Sequence, residues 1–122
     1  MNYTIGVSES GKFIRLRVEG EISAELARKW SDEMREMGLA SGIGRFLSDV
    51  RGARNVSSIL ENYSFAYKDA PELSLDRNAR VAILASPDDR SHDFVEVTLQ
   101  NAGYNVRLFR DESSAVQWLE ED

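Results

Sequence analysis

The residues whose types and spacing could do chemistry lie between positions 49 and 58 of this sequence. The segment begins inside a short apolar run at 46–50 and ends in the first turn of a helical pattern that starts at position 56. The side chains that could hold a ligand are Asp49, Arg51, Gly52, Arg54, Ser57 and Ser58. Because arginine side chains and the free amides at a helix start favour anions, the turn after this strand is a candidate site for an anionic or lipid-like ligand.

The same residues also have a purely structural interpretation. A carboxylate at the end of a strand, such as that of Asp49, often accepts hydrogen bonds from turn amides, here those of Arg51 and Gly52. Surface arginines of an acidic protein often pair with neighbouring carboxylates. From the sequence alone, both the ligand site and the structural alternative stay open.

Few residues are available for other kinds of chemistry. The chain has no cysteine, which excludes disulfides, thiolate metal sites and cysteine nucleophiles. Its single histidine, His92, stands among Asp88, Asp89 and Asp93, and we predict it to be a surface residue with no second histidine to complete a metal site. We therefore predict no metal, no cofactor and no enzymatic activity.

Length and charge set the broad class of the protein. The chain has 122 residues, of which 42% are hydrophobic and 30% charged, so we predict one domain over residues 1–122. A formal net charge of −6 disfavours nucleic acid as a partner, because phosphate backbones are also negative. No apolar run approaches the length of a membrane span, and we expect a cytoplasmic protein.

Hydrophobic periodicity predicts an α/β fold in which two opening strands are followed by alternating helices and strands. Strands are predicted at 3–8, 13–19, 46–50, 80–85 and 106–109, and helices at 24–37, 56–70, about 91–102 and from about 113 onward. Ser23, Ser91 and Asp111 or Ser113 are the expected N-caps, Gly38 the expected C-cap, and Pro71 the end of the second helix. This order predicts a five-stranded, mostly parallel sheet with an N-terminal hairpin and helices on both faces.

The same patterns predict which side chains are buried. The second helix should bury the stripe of Val56, Ile59, Leu60, Tyr63, Tyr67 and Ala70. Phe65 lies opposite that stripe and is the candidate for a partner-binding face. The predicted core contains Leu16, Val18, Leu26, Trp30, Met34, Phe46, Leu47, Ile59, Tyr63, Val81, Ile83, Val95, Leu99, Val106, Leu108, Trp118 and Leu119.

Three segments carry a resemblance to a known family. They are Asp49-Val50-Arg51-Gly52 at a strand end, the apolar strand at 80–85, and a tail in which Phe109, Asp111 and Ala115-x-x-Trp118-Leu119 follow one another. The chain resembles the STAS-like, or SpoIIAA-like, domains, which are related to bacterial anti-sigma-factor antagonists and to lipid-binding SEC14 modules. The resemblance implies a non-enzymatic regulatory or protein-interaction module with a protein partner or a homodimer. A small-molecule binding domain is the alternative.

Regulatory members of that family are phosphorylated on a serine in an Asp-Ser-Ser-Gly-like motif. The corresponding segment here is Asn55-Val56-Ser57-Ser58-Ile59, which keeps both serines but has Val56 and Ile59 in place of the acidic residue and the glycine. We therefore expect Ser57 and Ser58 to stay unphosphorylated in the cell. At least one of the two hydroxyl groups is expected to cap the following helix.

Overall fold

A five-stranded sheet forms the centre of the computed structural model, which describes residues 3–121. The strands are β1 (Tyr3–Val7), β2 (Ile14–Ile22), β3 (Arg45–Asn55), β4 (Arg80–Leu84) and β5 (Asn105–Phe109). They lie side by side in chain order, with β1 antiparallel to β2 and every later pair parallel. The predicted mixed α/β sheet with an opening hairpin at its edge is confirmed.

Helices cover both faces of this sheet. They are α1 (Ala24–Ser41), α2 (Ile59–Ser64), α3 (Ala70–Glu72), α4 (Asp93–Asn101) and α5 (Glu112–Glu120), and a π-helical turn, Phe65–Asp69, joins α2 to α3. Ser23 and Asp111 cap α1 and α5 as predicted. Ser91 does not cap α4, because its hydroxyl accepts the backbone N–H of Asn55 at 3.0 Å, and His92 stands at the N-cap position.

The end of α1 differs from the prediction. The helix continues past Gly38 to Ser41, and Gly42 terminates it with a φ of 70°. Gly38 is buried inside the helix, where an added Cβ would lie 2.7 Å from the Ile43 carbonyl oxygen and 2.8 Å from Cζ of Phe46. Glycine at position 38 therefore allows close packing between α1 and the start of β3 and does not end the helix.

Strand β3 is twice as long as predicted, and this changes the interpretation of the segment after position 50. Residues 52–55 pair with Glu19 to Ile22 of β2, beyond a bulge that follows the pair of Arg17 and Asp49. The predicted turn at Arg51 and Gly52 is therefore strand. The extensions of β2 and β3 pair with each other, so neither is evident from its own local sequence.

The face that α2 buries is the reverse of the predicted one. Five side chains expected inside are between 44% and 80% exposed, namely Val56, Ile59, Leu60, Tyr63 and Tyr67. Ala70 is buried as predicted, and the other inward residues are Asn62, the half-buried Phe65 and the fully buried Ala66. The helical backbone also continues through Pro71 to Glu72.

Polar contacts hold this segment in its observed orientation. Arg28 of α1 donates to Asp69 at 3.0 Å and to Glu72 at 3.1 Å, and Asn55 donates to the side chain of Asn62 at 3.2 Å. The small side chains of Ala66 and Ala70 allow the backbone to approach the rest of the protein. Ile59 and Tyr63 were therefore wrongly predicted to belong to the core.

The other predicted core residues are confirmed as buried or half-buried. On one face of the sheet, Trp30 and Met34 of α1 and Val95 and Leu99 of α4 pack over β2 to β5. On the opposite face, the core is formed by Phe13, Leu47, Ala82, Leu84, Ala115 and Leu119, with Trp118 half-buried beside it. Arg45 and Arg80 donate to backbone carbonyls at the end of α5, and these contacts fix that helix on the sheet.

Candidate binding cavity

An apolar cavity of about 420 Å³ lies between the sheet and the helices of the α1 and α4 face. Its floor is formed by Phe46, Ser48 and Val50 of β3, with Val81 and Ile83 of β4 beside them. Residues at alternate positions of a strand point to the same face, which explains the spacing of these five side chains. Ser48 is the small residue in the middle of the β3 row, and it leaves space above the centre of the sheet.

The walls of the cavity come from helical elements on this face. Trp30 and Met34 of α1 line it, as do Val95 and Leu99 of α4 and Phe65 of the π-helical turn. Phe65 is therefore part of the cavity wall and is half-buried, whereas the helical pattern placed it on the exposed face of the helix. The apolar lining leaves few hydrogen-bonding groups for a ligand, and each of them matters for specificity.

Some of these polar groups stand near the carboxyl end of β3. Asn55 receives the backbone N–H of Ser57 at 3.0 Å and donates to Asn62 at 3.2 Å, and all three residues line the cavity. The polar atoms in these contacts are already occupied by each other. This end of the cavity is thus closed by a hydrogen-bonded cluster.

His92 also lines the cavity and is buried, with 4% of its surface exposed. Its Nε2 lies 3.2 Å from the Ala53 carbonyl oxygen and 3.3 Å from the Asp89 carboxylate. Burial raises the pKa of Asp89, but hydrogen bonds from Ser91 and the electrostatic effects of His92 and Arg54 outweigh it, and the pKa is lowered overall. The surface position predicted for His92 is wrong, and Asp89 three residues earlier was the sequence signal for a buried pair.

Two polar atoms near the cavity have no partner within residues 3–121. They are Nε of Arg35 and the hydroxyl oxygen of Tyr104, both shielded from solvent. Both residues belong to the cavity wall, and Tyr104 is 8% exposed. Buried polar atoms are nearly always hydrogen-bonded, so these two require an explanation. Neither residue was singled out from the sequence, because nothing in the local pattern places them at a common site.

The predicted ligand residues Asp49 and Arg51 lie on the opposite face of the sheet. The Asp49 carboxylate is buried and accepts two hydrogen bonds from the Arg51 guanidinium, at 2.9 Å from Nε and 2.7 Å from Nη2. Arg15 lies 3.5 Å from the same carboxylate, and Glu112 of α5 accepts from both arginines at 2.8 and 3.0 Å. Every charge in this cluster already has a partner of opposite sign.

Electrostatics agrees with a structural role for the cluster. Burial raises the pKa of Asp49, but the hydrogen bonds and charge of Arg51 and the charge of Arg15 outweigh it, so the pKa lies below its ordinary value. The hydrogen bond to Asp49 raises the pKa of Arg51 further above its ordinary value, against a smaller opposing effect of burial. Both groups therefore stay charged and bound to each other.

The remaining predicted site residues do not converge with Asp49 and Arg51. Gly52 packs against Glu19, where an added Cβ would lie 3.3 Å from its Cγ, and Arg54 is an exposed strand residue. Ser57 lines the cavity on the other face. Ser58 accepts the N–H of Glu61 at 3.1 Å in a capping box, which confirms that one of the two serines caps the helix.

Neither a metal-binding group nor a membrane-spanning helix is found within residues 3–121. Within residues 3–121, no group of three or more His, Cys, Asp or Glu side chains is arranged to hold a metal ion. None of the helices in the same range is long and apolar enough to cross a membrane.

Comparison with solved structures identifies the fold. The chain is similar to an uncharacterised protein of the DUF3478 family from Shewanella loihica PV-4, whose crystal structure has a SpoIIAA-like fold. The two share 20% identity and superpose with a TM-score of 0.61 over 97% of this chain and 93% of the other. No protein-family model matches the sequence, and no curated protein matches it significantly. The protein therefore has a SpoIIAA-like, STAS-like fold.

Proposed function

We propose that the protein is a cytoplasmic binding module that holds an apolar small molecule in the cavity and catalyses no reaction. The observation that supports this most directly is the cavity itself. Its volume of about 420 Å³ lies within the range of roughly 300–1,000 Å³ that is usual for small-molecule sites, and its lining is mainly apolar.

The sequence predicted an anionic or lipid-like ligand, and this proposal keeps the lipid-like class but moves the site. The sequence pointed to the segment around Arg51 and Arg54, where the charges of Arg51 are already paired with Asp49 and Glu112. The cavity offers aromatic and aliphatic surface from Trp30, Phe46 and Phe65 instead. Contact with these side chains favours a lipid-like or aromatic molecule over a small hydrophilic ion.

Binding of a neutral apolar dye such as Nile red tests the proposal. We expect saturable fluorescence enhancement and an increased melting temperature, because a ligand at about 100 times its Kd adds roughly 2.7 kcal/mol to the free energy of unfolding. The variant Ser48→Phe places a ring on the cavity floor and should abolish both effects. Ser113→Phe is the matched control, since Ser113 is exposed on α5 across the sheet.

The outcomes separate clearly. Equal dye binding by the wild type and by Ser48→Phe would show that the dye does not enter the cavity. Absence of binding by the wild type, tested also with a series of alkanols, would contradict the proposal.

A second candidate function, a regulatory protein-interaction module, is favoured by the outer face of α2. Ile59, Leu60 and Tyr63 are exposed by 68%, 80% and 53%, and Tyr63 stacks on Tyr67 with ring centroids 4.5 Å apart. Contiguous exposed apolar side chains of this kind often mark an interaction surface. This face takes the role that the sequence assigned to Phe65, and we propose a second copy of the chain as its partner.

A further inference from the structure

Two buried polar atoms in residues of the cavity wall, Nε of Arg35 and the hydroxyl oxygen of Tyr104, have no hydrogen-bond partner within residues 3–121. The Nε of a guanidinium carries a proton and is a donor, and a phenol can donate its O–H. Arg35 also donates from Nη2 to Asp32 at 3.1 Å, which leaves Nε as the donor without a partner within residues 3–121. A group that satisfies both residues must therefore be an acceptor.

Chain topology places the two residues toward the same end of the cavity. Tyr104 directly precedes β5, so it lies at the amino end of a parallel strand. Helix α1 returns from the end of β2 to the start of β3, and Arg35 lies in its second half. The opposite end is the one closed by the cluster of Asn55, Ser57 and Asn62.

A guanidinium lies beside Tyr104 at this end of the cavity. The Arg77 guanidinium lies 4.6 Å from the centroid of the Tyr104 ring and donates to the Ala102 carbonyl oxygen at 3.2 Å. Arg35 adds a second guanidinium, which is paired with Asp32 at 3.1 Å. A carboxylate has two acceptor oxygens, one for the Arg35 Nε–H and one for the Tyr104 O–H, and its charge strengthens both hydrogen bonds.

We infer that the ligand is an amphiphile with a carboxylate head, a fatty-acid-like molecule, whose head is bound by Arg35 and Tyr104. Its tail extends along the floor formed by Phe46, Ser48 and Val50. This inference rests on the proposed function and specifies the ligand class and its orientation in the cavity. It accounts for two buried donors that have no hydrogen-bond partner among residues 3–121.

Dodecanoate is the probe, and methyl dodecanoate carries the same tail without the charge. We expect dodecanoate to bind more tightly than the ester. Tyr104→Phe and Arg35→Met should each weaken dodecanoate binding by about tenfold or more, because each removes a hydrogen bond to a charged group. The same substitutions should change methyl ester and Nile red binding by less than about twofold, since an apolar tail makes no hydrogen bond. Calorimetry or displacement of Nile red measures these affinities.

Two substitutions serve as matched controls. Tyr67→Phe removes a tyrosine hydroxyl from the π-helical turn, at a residue that is 44% exposed, and Arg90→Met removes an arginine whose side chain is 75% exposed. Neither should affect dodecanoate binding. The melting temperature of unliganded Tyr104→Phe should match or exceed that of the wild type, because the deleted hydroxyl has no partner among the described residues.

Each result supports or overturns the inference. Selective loss of dodecanoate binding in the two cavity variants supports it. Equal affinity for dodecanoate and its methyl ester, or tighter binding of dodecyl phosphate, overturns the carboxylate assignment and leaves the proposed function standing. If Nile red, dodecanoate and methyl dodecanoate all fail to bind, the proposed function itself fails.

Discussion

At Asp49, a buried carboxylate is stabilised by charged neighbours instead of being offered to a ligand. Arg51 is two residues away on the same strand, and alternate strand positions share a face, so its guanidinium reaches the carboxylate directly. Arg15 and Glu112 complete the cluster from β2 and α5. The cluster thus connects two strands to the helix on that face of the sheet.

We predict that Asp49→Asn lowers the free energy of unfolding at pH 7 by about 1–3 kcal/mol, because charge-assisted hydrogen bonds of a buried group are lost. The effect should depend on pH. Folding lowers the pKa of Asp49, so its carboxylate stabilises the folded state fully above the unfolded pKa of about 4, and this contribution disappears as pH falls through the folded pKa.

Urea denaturation at pH 7 and pH 3 measures both effects. The difference in stability between the wild type and Asp49→Asn should be smaller at the lower pH. Asp88→Asn, at an exposed carboxylate in the turn after β4, should stay within about 0.5 kcal/mol of the wild type at pH 7. A difference between wild type and Asp49→Asn that is the same at both pH values would refute the ionic role of Asp49.

Among the elements, α1 illustrates how packing overrides a local signal. Glycine commonly ends helices, yet Gly38 lies inside α1 against Phe46 and the Ile43 carbonyl. The glycine that ends the helix is Gly42. Its positive φ lies in the left-handed region, which glycine adopts freely. Two glycines four residues apart cannot be told apart without the contact to β3.

We predict that Gly38→Ala destabilises the protein by about 1–3 kcal/mol, although alanine has the higher helix propensity, because its methyl group would overlap Ile43 and Phe46. Thermal or urea denaturation measures the change. Gly44→Ala is the control, because a Cβ there meets no atom within 4 Å. If Gly38→Ala were as stable as the wild type, the close approach of α1 and β3 would be disproved.

On the scale of the whole molecule, the exposed apolar face of α2 is the clearest feature of the surface. It combines Val56, Ile59, Leu60, Tyr63 and Tyr67 within a single short segment. A face of this kind can pair with an identical copy about a two-fold axis, since each protomer then offers the same surface to the other.

We predict that the protein forms a dimer through this face at tens of micromolar, the range in which weak self-association is readily measured. Leu60→Lys should convert it to a monomer, because a charge would be buried in the interface. Sedimentation equilibrium gives the masses. Val97→Lys, on an exposed α4 residue, should leave the dimer intact. A wild-type monomer throughout the concentration range would contradict this prediction and disfavour the homodimer.

The sequence by itself determined the order of elements and most of the core. Alternation in β2 and the unbroken apolar run of β4 are local patterns, and so are the caps at Ser23 and Asp111, which is why these predictions agree with the structure. The SpoIIAA-like fold follows from that order, because parallel strands with helical crossovers have few alternative arrangements.

Tertiary structure decided the candidate site. Whether the stripe of Ile59 and Tyr63 or that of Asn62 and Ala66 faces inward depends on contacts with distant residues, such as Arg28 with Asp69, that no local period contains. The cavity is likewise the space left between the sheet and four helical elements, namely α1, α2, the π-helical turn and α4. Arg35 and Tyr104 are separated along the chain and lie beside the same cavity only because α1 and β5 pack on one face of the sheet, so only the folded chain could identify them.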